Sequence, residues 1–513
     1  MTSSLRRKLV LPAVGISLMT IVSAVAGLNM ALPSIARTTG ATATELTWIV
    51  DAYTVVFASL LFLAGAIGDK YGRKTILEVG LALYAIVAVF GMFVTDPVHL
   101  IAVRILMGVG AAAVMPSTLS IITTSFDGEE RGKAVSIWVA IAGGGAFIGL
   151  FATAILLQYF SWPSFFALNV ALAVIGLVAT LTVLDNSRDE SAPALDWVGG
   201  LLTIAGVGAI VYGFIEAPNN GWASPVTVLG IGGGLLALAL FLVWEIRQKD
   251  PLLDPRLLLN RGFSAGSLSV TLQFFGQFGF IFVAMQYLQF VVGYSPLETA
   301  ARLLPIPFIL APAARVSGRL ADRIPQKFQG SVGLFIFGIA MLMFAGLTTE
   351  FSFGYWVVCL VFFGVGAALS VTPATTAITH SLPIEKQGVA SAMNDTAREL
   401  GAALGIAVLS AALNNTYRNG MLSAAARLPD ALAEKVTETV AFTQAQKPPQ
   451  IPQGVWDGLV ASARVSFTDG MHNALYIAAG AAFAGAVLVA VIAPRRPEHL
   501  QKTKDTRPVS GPA

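Results

Sequence analysis

Charge is scarce in this sequence. Asp, Glu, Lys and Arg make up 12% of the 513 residues, and hydrophobic types make up 55%. A soluble domain carries about 25% charged residues, and the mean hydropathy here is +0.74. No water-soluble core could hide that much apolar surface, so a soluble globular fold is excluded and lipid is the solvent for most of the chain. The single cysteine, Cys359, excludes a disulfide framework and a cysteine metal site. The four histidines (His99, His380, His472 and His499) are scattered, so no metal-ligand spacing appears and neither metal nor cofactor is expected. No nucleophile–base pair can be named, which argues against an enzyme. The formal charge of +3 is small, and no nucleic-acid partner is expected. A cleavable signal is also missing. Arg6, Arg7 and Lys8 precede an apolar stretch that is long enough to span and lacks a small-residue cleavage site.

Long apolar runs are what the chain does contain. A spanning helix needs about 20 mostly apolar residues to cross about 30 Å of hydrocarbon. Such runs lie at 9–34, 46–68, 75–95, 98–124, 133–157, 162–184, 196–216, 225–246, 263–291, 297–318, 329–347, 352–380, 388–413 and 471–493. The reading is an all-α membrane protein of about fourteen transmembrane helices. Lys and Arg in the short loops set orientation. Placing the N-terminus in the cytoplasm puts Lys70, Arg73, Lys74, Arg131, Lys133, Arg247, Lys249, Arg256, Arg261, Arg323 and Lys327 inside, with the C-terminal cluster from Arg495 to Arg507. Both termini are therefore expected to be cytoplasmic. Two segments break the rhythm. Residues 414–470 are polar enough for a long external loop, with an amphipathic helix around Leu428–Val440 and a Pro-rich stretch after it. The tail after residue 495 is polar and is expected to be disordered.

An internal echo is present. Gly65-Ala-Ile-Gly-Asp69-Lys-Tyr-Gly72-Arg73-Lys74 closes the second span, and Gly318-Arg-Leu-Ala-Asp322-Arg323 closes the tenth on the same side. Both read Gly-x-x-x-Asp followed by a basic residue. A repeat in the same membrane orientation implies two parallel halves, a known transporter design.

On these residues the chain resembles the major facilitator superfamily, and within it the fourteen-span drug:proton antiporters. The resemblance runs from the first span to the last. It implies a six-helix bundle over 1–195, an inserted helix pair with its linker over 196–250, and a second six-helix bundle over 251–495 that carries the 414–470 loop. Residues 496–513 form the tail. In relatives the Gly65–Lys74 loop latches the two bundles together and lets go during transport, and Arg131 is a partner to expect for Asp69.

Further motifs extend the resemblance. Arg104-Ile-Leu-Met-Gly108-Val-Gly110 in the fourth span matches the family's arginine motif, implicated in proton coupling. An arginine in lipid is costly and normally faces the bundle interior, although a snorkelling arginine is the plain alternative. Trp48-Ile-Val-Asp51-Ala-Tyr53 is similar to a Trp-x-x-Asp-x-Tyr of the multidrug subgroup. Burial disfavours the charged form of a carboxyl, so Asp51 suits proton loading, or counter-charge to a cationic substrate; an interfacial acid wetted from outside is the bland reading. Asn394-Asp395-Thr-Ala-Arg398-Glu399-Leu-Gly401, continuing to Gly405, resembles an Asn-x-x-x-Arg-x-x-Gly pattern. Its charges form a local cluster, equally readable as a structural latch or as substrate and proton binding. In the ninth span Gln273, Gln277, Gln286 and Gln289 stand among Phe274, Phe275, Phe278 and Phe282. Amides beside aromatics suit a cavity wall for amphiphiles, or interhelical packing.

The chain departs from the subgroup in three places. Asn29-Met-Ala-Leu-Pro33 is present, but the aspartate expected five residues before Asn29 is Ala24. The antiporter motif of the fifth span survives as Gly145 and Gly149, with Leu150 for its proline and Thr153-Ala154 for its glycines. Leu310 stands where some relatives have an acid. Together these leave the proton route on fewer carboxylates.

The function this implies is proton-coupled efflux of amphiphilic drugs across a bacterial inner membrane by alternating access, performed by a monomer. Small amphiphilic substrate, protons and the bilayer are its partners. Asp51 with Tyr53, Asn29 and Arg104 would couple, and Asp69 with Arg73 would gate. A carrier for a specific lipid, siderophore or metabolite, and a non-transporting scaffold or sensor that retains the fold, are the alternatives.

Overall fold

A computed structural model describes residues 3–126, 128–188, 195–249, 251–321, 323–382, 387–426, 428–444, 447–449 and 451–494. Among these the regular structure is helical throughout. In lipid every backbone polar group must be satisfied within its own segment, and an α-helix does that without neighbours. The first six helices are α1 (Ser3–Thr39), α2 (Ala43–Tyr71), α3 (Arg73–Gly91), α4 (Pro97–Ser125), α5 (Gly128–Tyr159) and α6 (Ser164–Val183). An inserted pair follows, α7 (Trp197–Asn220) and α8 (Pro225–Arg247), and then α9 (Arg261–Gln286). The rest are α10 (Pro296–Leu303), α11 (Pro305–Ala321), α12 (Gln326–Phe344), α13 (Phe353–His380), α14 (Gln387–Ala425), α15 (Asp430–Glu438), α16 (Val440–Thr443) and α17 (Gln453–Ile492).

Thirteen helical segments among the described residues are long and apolar enough to cross a membrane. The one expected span outside these thirteen, 133–157, lies in α5, a 32-residue helix whose apolar part is the shorter Gly144–Tyr159. The helices begin where side chains can satisfy their first free N–H groups. Thr42 and Glu45 form a reciprocal capping box on α2, Asp96 accepts from the N–H groups of Val98 and His99 on α4, and Ser295 with Glu298 repeats the box on α10.

Two expectations need correction. The tenth span is two helices, interrupted at Leu304. Pro305 and Pro307 supply no N–H to the ladder, and the Leu304 N–H closes a tighter bond to the Ala301 carbonyl at 3.3 Å. The 414–470 stretch is mostly helix rather than loop. α14 continues to Ala425, α15 matches the expected amphipathic segment, and α17 starts at Gln453, well before the expected span at 471. Polarity there marks helices that project past the apolar layer, since helical hydrogen bonding does not require lipid.

Packing divides the chain. α1 packs on α5 and α6, α2 on α4, and α3 on α4 and α6, forming one bundle. α9 packs on α13, α14 and α17, α11 on α13, and α12 on α13 and α17, forming the second. α7 and α8 pair with each other, and α7 leans on both α2 and α14. The outer faces are apolar: Phe90, Phe93, Leu229 and Leu236 are all more than half exposed, as a lipid-facing surface requires. Where helices must come closest, glycine makes it possible. A Cβ on Gly405 or Gly401 of α14 would collide with the backbone carbonyls of Phe275 and Thr271 on α9, and one on Gly149 of α5 with Ser23 on α1.

One end of the molecule carries Lys70, Arg73, Lys74, Arg323 and Lys327. The bundles meet toward the opposite end. There Gln289 Nε2 donates to the Met30 carbonyl at 3.3 Å, α10 packs on α5, and α16 packs on α1. Gln289 lies in a π-helical turn, Tyr287–Val291, that ends α9. Such turns often occur at functional positions.

Candidate functional site

Helical spacing sorts the residues of α2 onto separate faces. Trp48, Asp51 and Val55 share one. Trp48 Nε1 donates to Glu216 Oε1 of α7 at 2.9 Å, and Val55 packs with Val207 and Val211 of α7 and Ala403 and Ala407 of α14. Asp51 is fully buried, and neither of its carboxylate oxygens has a hydrogen-bond partner. Tyr53 lies on another face and meets α4. The Arg104 guanidinium stacks over the Tyr53 ring at 4.1 Å, and Arg104 Nε donates to the Ile49 carbonyl at 3.0 Å. Arg104 is fully buried, with Nη1 unpartnered. Asp51 and Arg104, expected to couple, form no ion pair: Arg104 packs against the Ile49–Tyr53 side of α2, and Asp51 lies on another face of that helix.

Around Arg104 the polar groups continue. The Tyr53 hydroxyl donates to the Ile21 carbonyl at 3.3 Å, and the Tyr84 hydroxyl donates to Asn169 Oδ1 at 3.0 Å. Arg104 interacts electrostatically with both tyrosines. Asn29 is buried; its amide donates to the Val25 carbonyl at 2.9 Å, and its Oδ1 has no partner.

The second bundle supplies the opposing groups. Arg398 Nη1 lies 3.8 Å from Asp395 Oδ1, and its guanidinium lies 4.9 Å from the centre of the Phe274 ring. Phe274 stacks on Phe278. Gln273 Oε1 accepts from the Ser370 hydroxyl at 3.0 Å, and Gln273 Nε2 donates to Gln277 Oε1 at 3.4 Å. Gln286 donates to its own helix, at the Phe282 carbonyl. Asn394 Oδ1 accepts from Thr375. Glu399 is buried with Oε2 unpartnered. Thus two groups expected independently, the α9 wall and the α14 cluster, are adjacent. α14, which carries the cluster, packs on α2, which carries Tyr53.

At the basic end, Asp69 Oδ1 accepts both Nε and Nη2 of Arg73 at 2.8 Å. Gly72 turns the chain with φ +115, a conformation that L side chains rarely adopt. Lys74 Nζ donates to the Leu184 carbonyl at 2.8 Å and lies 3.6 Å from Glu78. The Arg73 N–H donates to Ser187. This loop is therefore tied to the end of α6, in its own bundle. Arg131 Nε donates to the Phe126 carbonyl at 3.0 Å, while the ion pair of Asp69 is with Arg73. Gly318 has open space around it, Arg323 follows in the turn after α11, and Asp322 lies outside the described residues. A Cβ on Gly145 would lie 3.8 Å from Met19, in ordinary contact.

Residues 14–406 match the Major Facilitator Superfamily. This chain belongs to that superfamily. It is 33% identical over 401 residues to the puromycin resistance protein pur8 of Streptomyces alboniger, covering 77% of this chain and 78% of that one. It is 31% identical over 468 residues to the multidrug efflux pump LfrA of Mycolicibacterium smegmatis, covering 90% and 92%. Among solved structures, an inward-facing, occupied bacterial homologue of the human lysosomal transporter Spinster superposes with TM-score 0.66 at 17% identity, covering 95% and 97%. A D-xylose-proton symporter superposes with TM-score 0.61 at 14% identity, covering 95% and 98%. Both share the fold. This facilitator is a multi-span membrane transporter rather than an enzyme.

Sequence reasoning missed several polar contacts of this facilitator. Glu216 holds Trp48, Asn219 Nδ2 donates to Thr44 at 3.0 Å, and Arg418 Nη1 of α14 reaches Asn219 Oδ1 at 3.5 Å. The end of α7 thereby touches both bundles. An acid closing an apolar run, as Glu216 does, was the available signal.

Proposed function

We propose that this facilitator exports amphiphilic, drug-like compounds by alternating access while protons move the opposite way. Relatives named for puromycin resistance and multidrug efflux, over most of the chain, support the substrate class. The observation that carries the reading is the juxtaposition across the bundle boundary. Arg104 lies over Tyr53 of α2 on one side, Arg398 of α14 lies beside Phe274 with Glu399 next to it in sequence on the other, and α2 packs on α14. An aromatic wall with few charges binds flat or cationic amphiphiles loosely, and the buried carboxyls of Asp51, with neither oxygen partnered, and of Glu399, with Oε2 unpartnered, suit proton exchange. The basic end is cytoplasmic by the excess of Lys and Arg in its short loops. The bundles, joined at the opposite end, then form an inward-facing state of a monomer in a bacterial inner membrane. Asp69 with Arg73, and the repeat of that motif in the second bundle at Gly318 and Arg323, are the parts that engage when that end closes.

Transport into liposomes under an imposed pH gradient tests this, with wild type compared to Asp51→Asn and Glu399→Gln. Gradient-driven movement of a cationic dye is expected in wild type and lost in at least one variant. Equal transport in all three, with no response to the gradient, overturns the proton role.

A further inference from the structure

A second pair of acids lies away from the bundle boundary, at the base of the inserted helices. Asp196 starts α7, and its Oδ1 accepts the Gly199 N–H at 2.9 Å. Trp244 Nε1 donates to both Asp196 oxygens, at 3.0 and 3.1 Å. Glu245, next to Trp244 near the end of α8, is 1% exposed. Its Oε2 accepts the Leu253 N–H at 3.4 Å. Its Oε1 is buried without a donor. That oxygen and Asp196 Oδ2 both close on the space over Gly199 that a side chain would fill, and the two carboxyl groups lie within hydrogen-bonding reach of each other.

Two ionised carboxylates in such contact repel, and Glu245 is shielded from the water that would offset it, while Asp196 is half-buried. No cation offsets it either. Arg247 on α8, and Lys249 and Arg256 on the linker, are exposed; among the described residues none forms an ion pair with Asp196 or Glu245. Asp254 is turned to the Arg256 N–H at 3.0 Å. α2 presents the apolar Leu63 at Gly200, and α14 presents Ala403 and Ala407 to α7. The remaining neighbours, the N–H groups of Gly199, Leu253 and Trp244, are donors and so cannot ligate a metal ion. A proton between Asp196 Oδ2 and Glu245 Oε1 satisfies every atom.

We propose that Asp196 and Glu245 form a proton-binding site that holds one proton between them and closes the base of the inserted helix pair. Glu245 also holds Leu253, at the start of the linker that runs through the short helical turn Pro255–Leu259 into α9. Loss of the proton opens the base and frees that linker. The site is separate from the carboxyls proposed to drive transport, and its test does not depend on transport.

The test uses the full-length protein in detergent, with infrared difference spectra taken across pH. Glu245→Gln and Asp196→Asn each place an amide donor where the proton sat, so both keep the base closed. Wild type is expected to show one more protonated-carboxyl C=O stretch per chain than either variant; bands common to all three belong to other buried carboxyls such as Asp51 and Glu399. Tryptic cleavage at Arg256 is expected to accelerate with rising pH in wild type relative to Glu245→Gln at the same pH. If one variant fails to fold, the other gives the same readout. A folded variant whose protonated-carboxyl bands all match those of wild type, or linker cleavage equal in wild type and Glu245→Gln at every pH, overturns the proposal.

Discussion

The Arg104 guanidinium lies 4.1 Å over the face of Tyr53 and donates to the carbonyl of Ile49, one turn earlier on the same helix. A buried cation is thus held by a ring and a backbone dipole rather than by an acid. Tyr53→Phe keeps the ring and removes the bond to Ile21, at a cost of about 1 kcal/mol. Tyr53→Leu also removes the cation–π contact, worth about 2 kcal/mol when desolvated. Melting midpoints in detergent should therefore fall in the order wild type, Phe, Leu. Arg104→Lys should resemble Leu, because an ammonium cannot stack as a planar guanidinium does.

Asp51 has no partner for either oxygen, so its carboxylate contributes no contact that a neutral side chain would lose. Asp51→Asn is expected to leave the melting midpoint unchanged or raise it, since a buried charge without a partner is costly. The same variant should uncouple transport from an imposed pH gradient. A marked loss of stability would show that Asp51 serves the fold instead.

Gly405 and Gly401 let α14 approach the backbone of α9. Alanine at either forces the helices apart, with an overpacking cost of about 1–3 kcal/mol. Gly405→Ala should lower the melting midpoint more than alanine at Gly144, which has open space around it. The α9 aromatics would move from Arg398, which weaker substrate binding would report.

Gly72 turns the loop between α2 and α3 at φ +115 beside Asn186. Gly72→Ala is strained there by about 1–3 kcal/mol. The ion pair Asp69–Arg73 and the Lys74–Leu184 bond both flank the turn. The variant should slow transport while substrate affinity in the resting protein stays near wild type, measured by dye binding and by flux separately.

Glu438 ends α15, outside the apolar layer. Partial burial raises its pKa first; Glu434 and Glu45 raise it further, and Arg418 opposes them. The folded state therefore favours the protonated form. That contribution is complete at acid pH and fades as pH rises through the titration of Glu438. Melting followed against pH should show stability declining across that window in wild type, with a flatter curve in Glu438→Gln.

Much of this protein was determined by sequence alone. Apolar runs of spanning length fix where helices cross, because an isolated helix satisfies its own backbone in lipid and needs no partner to be recognised. The excess of Lys and Arg at one end, and the glycine turn at Gly72, are equally local. Tertiary structure decided which side chains meet. Trp48, Asp51 and Tyr53 are near neighbours in sequence, yet the first bonds Glu216, the second bonds nothing, and the third lies under Arg104. Helical rotation of about 100° per residue turns Tyr53 away from the face that Trp48 and Asp51 share, and only the packing of α4, α7 and α14 around α2 says what each face sees. The polar stretch after α14 was misread for a related reason: polarity reports the solvent around a segment, and a helix that leaves the membrane remains a helix.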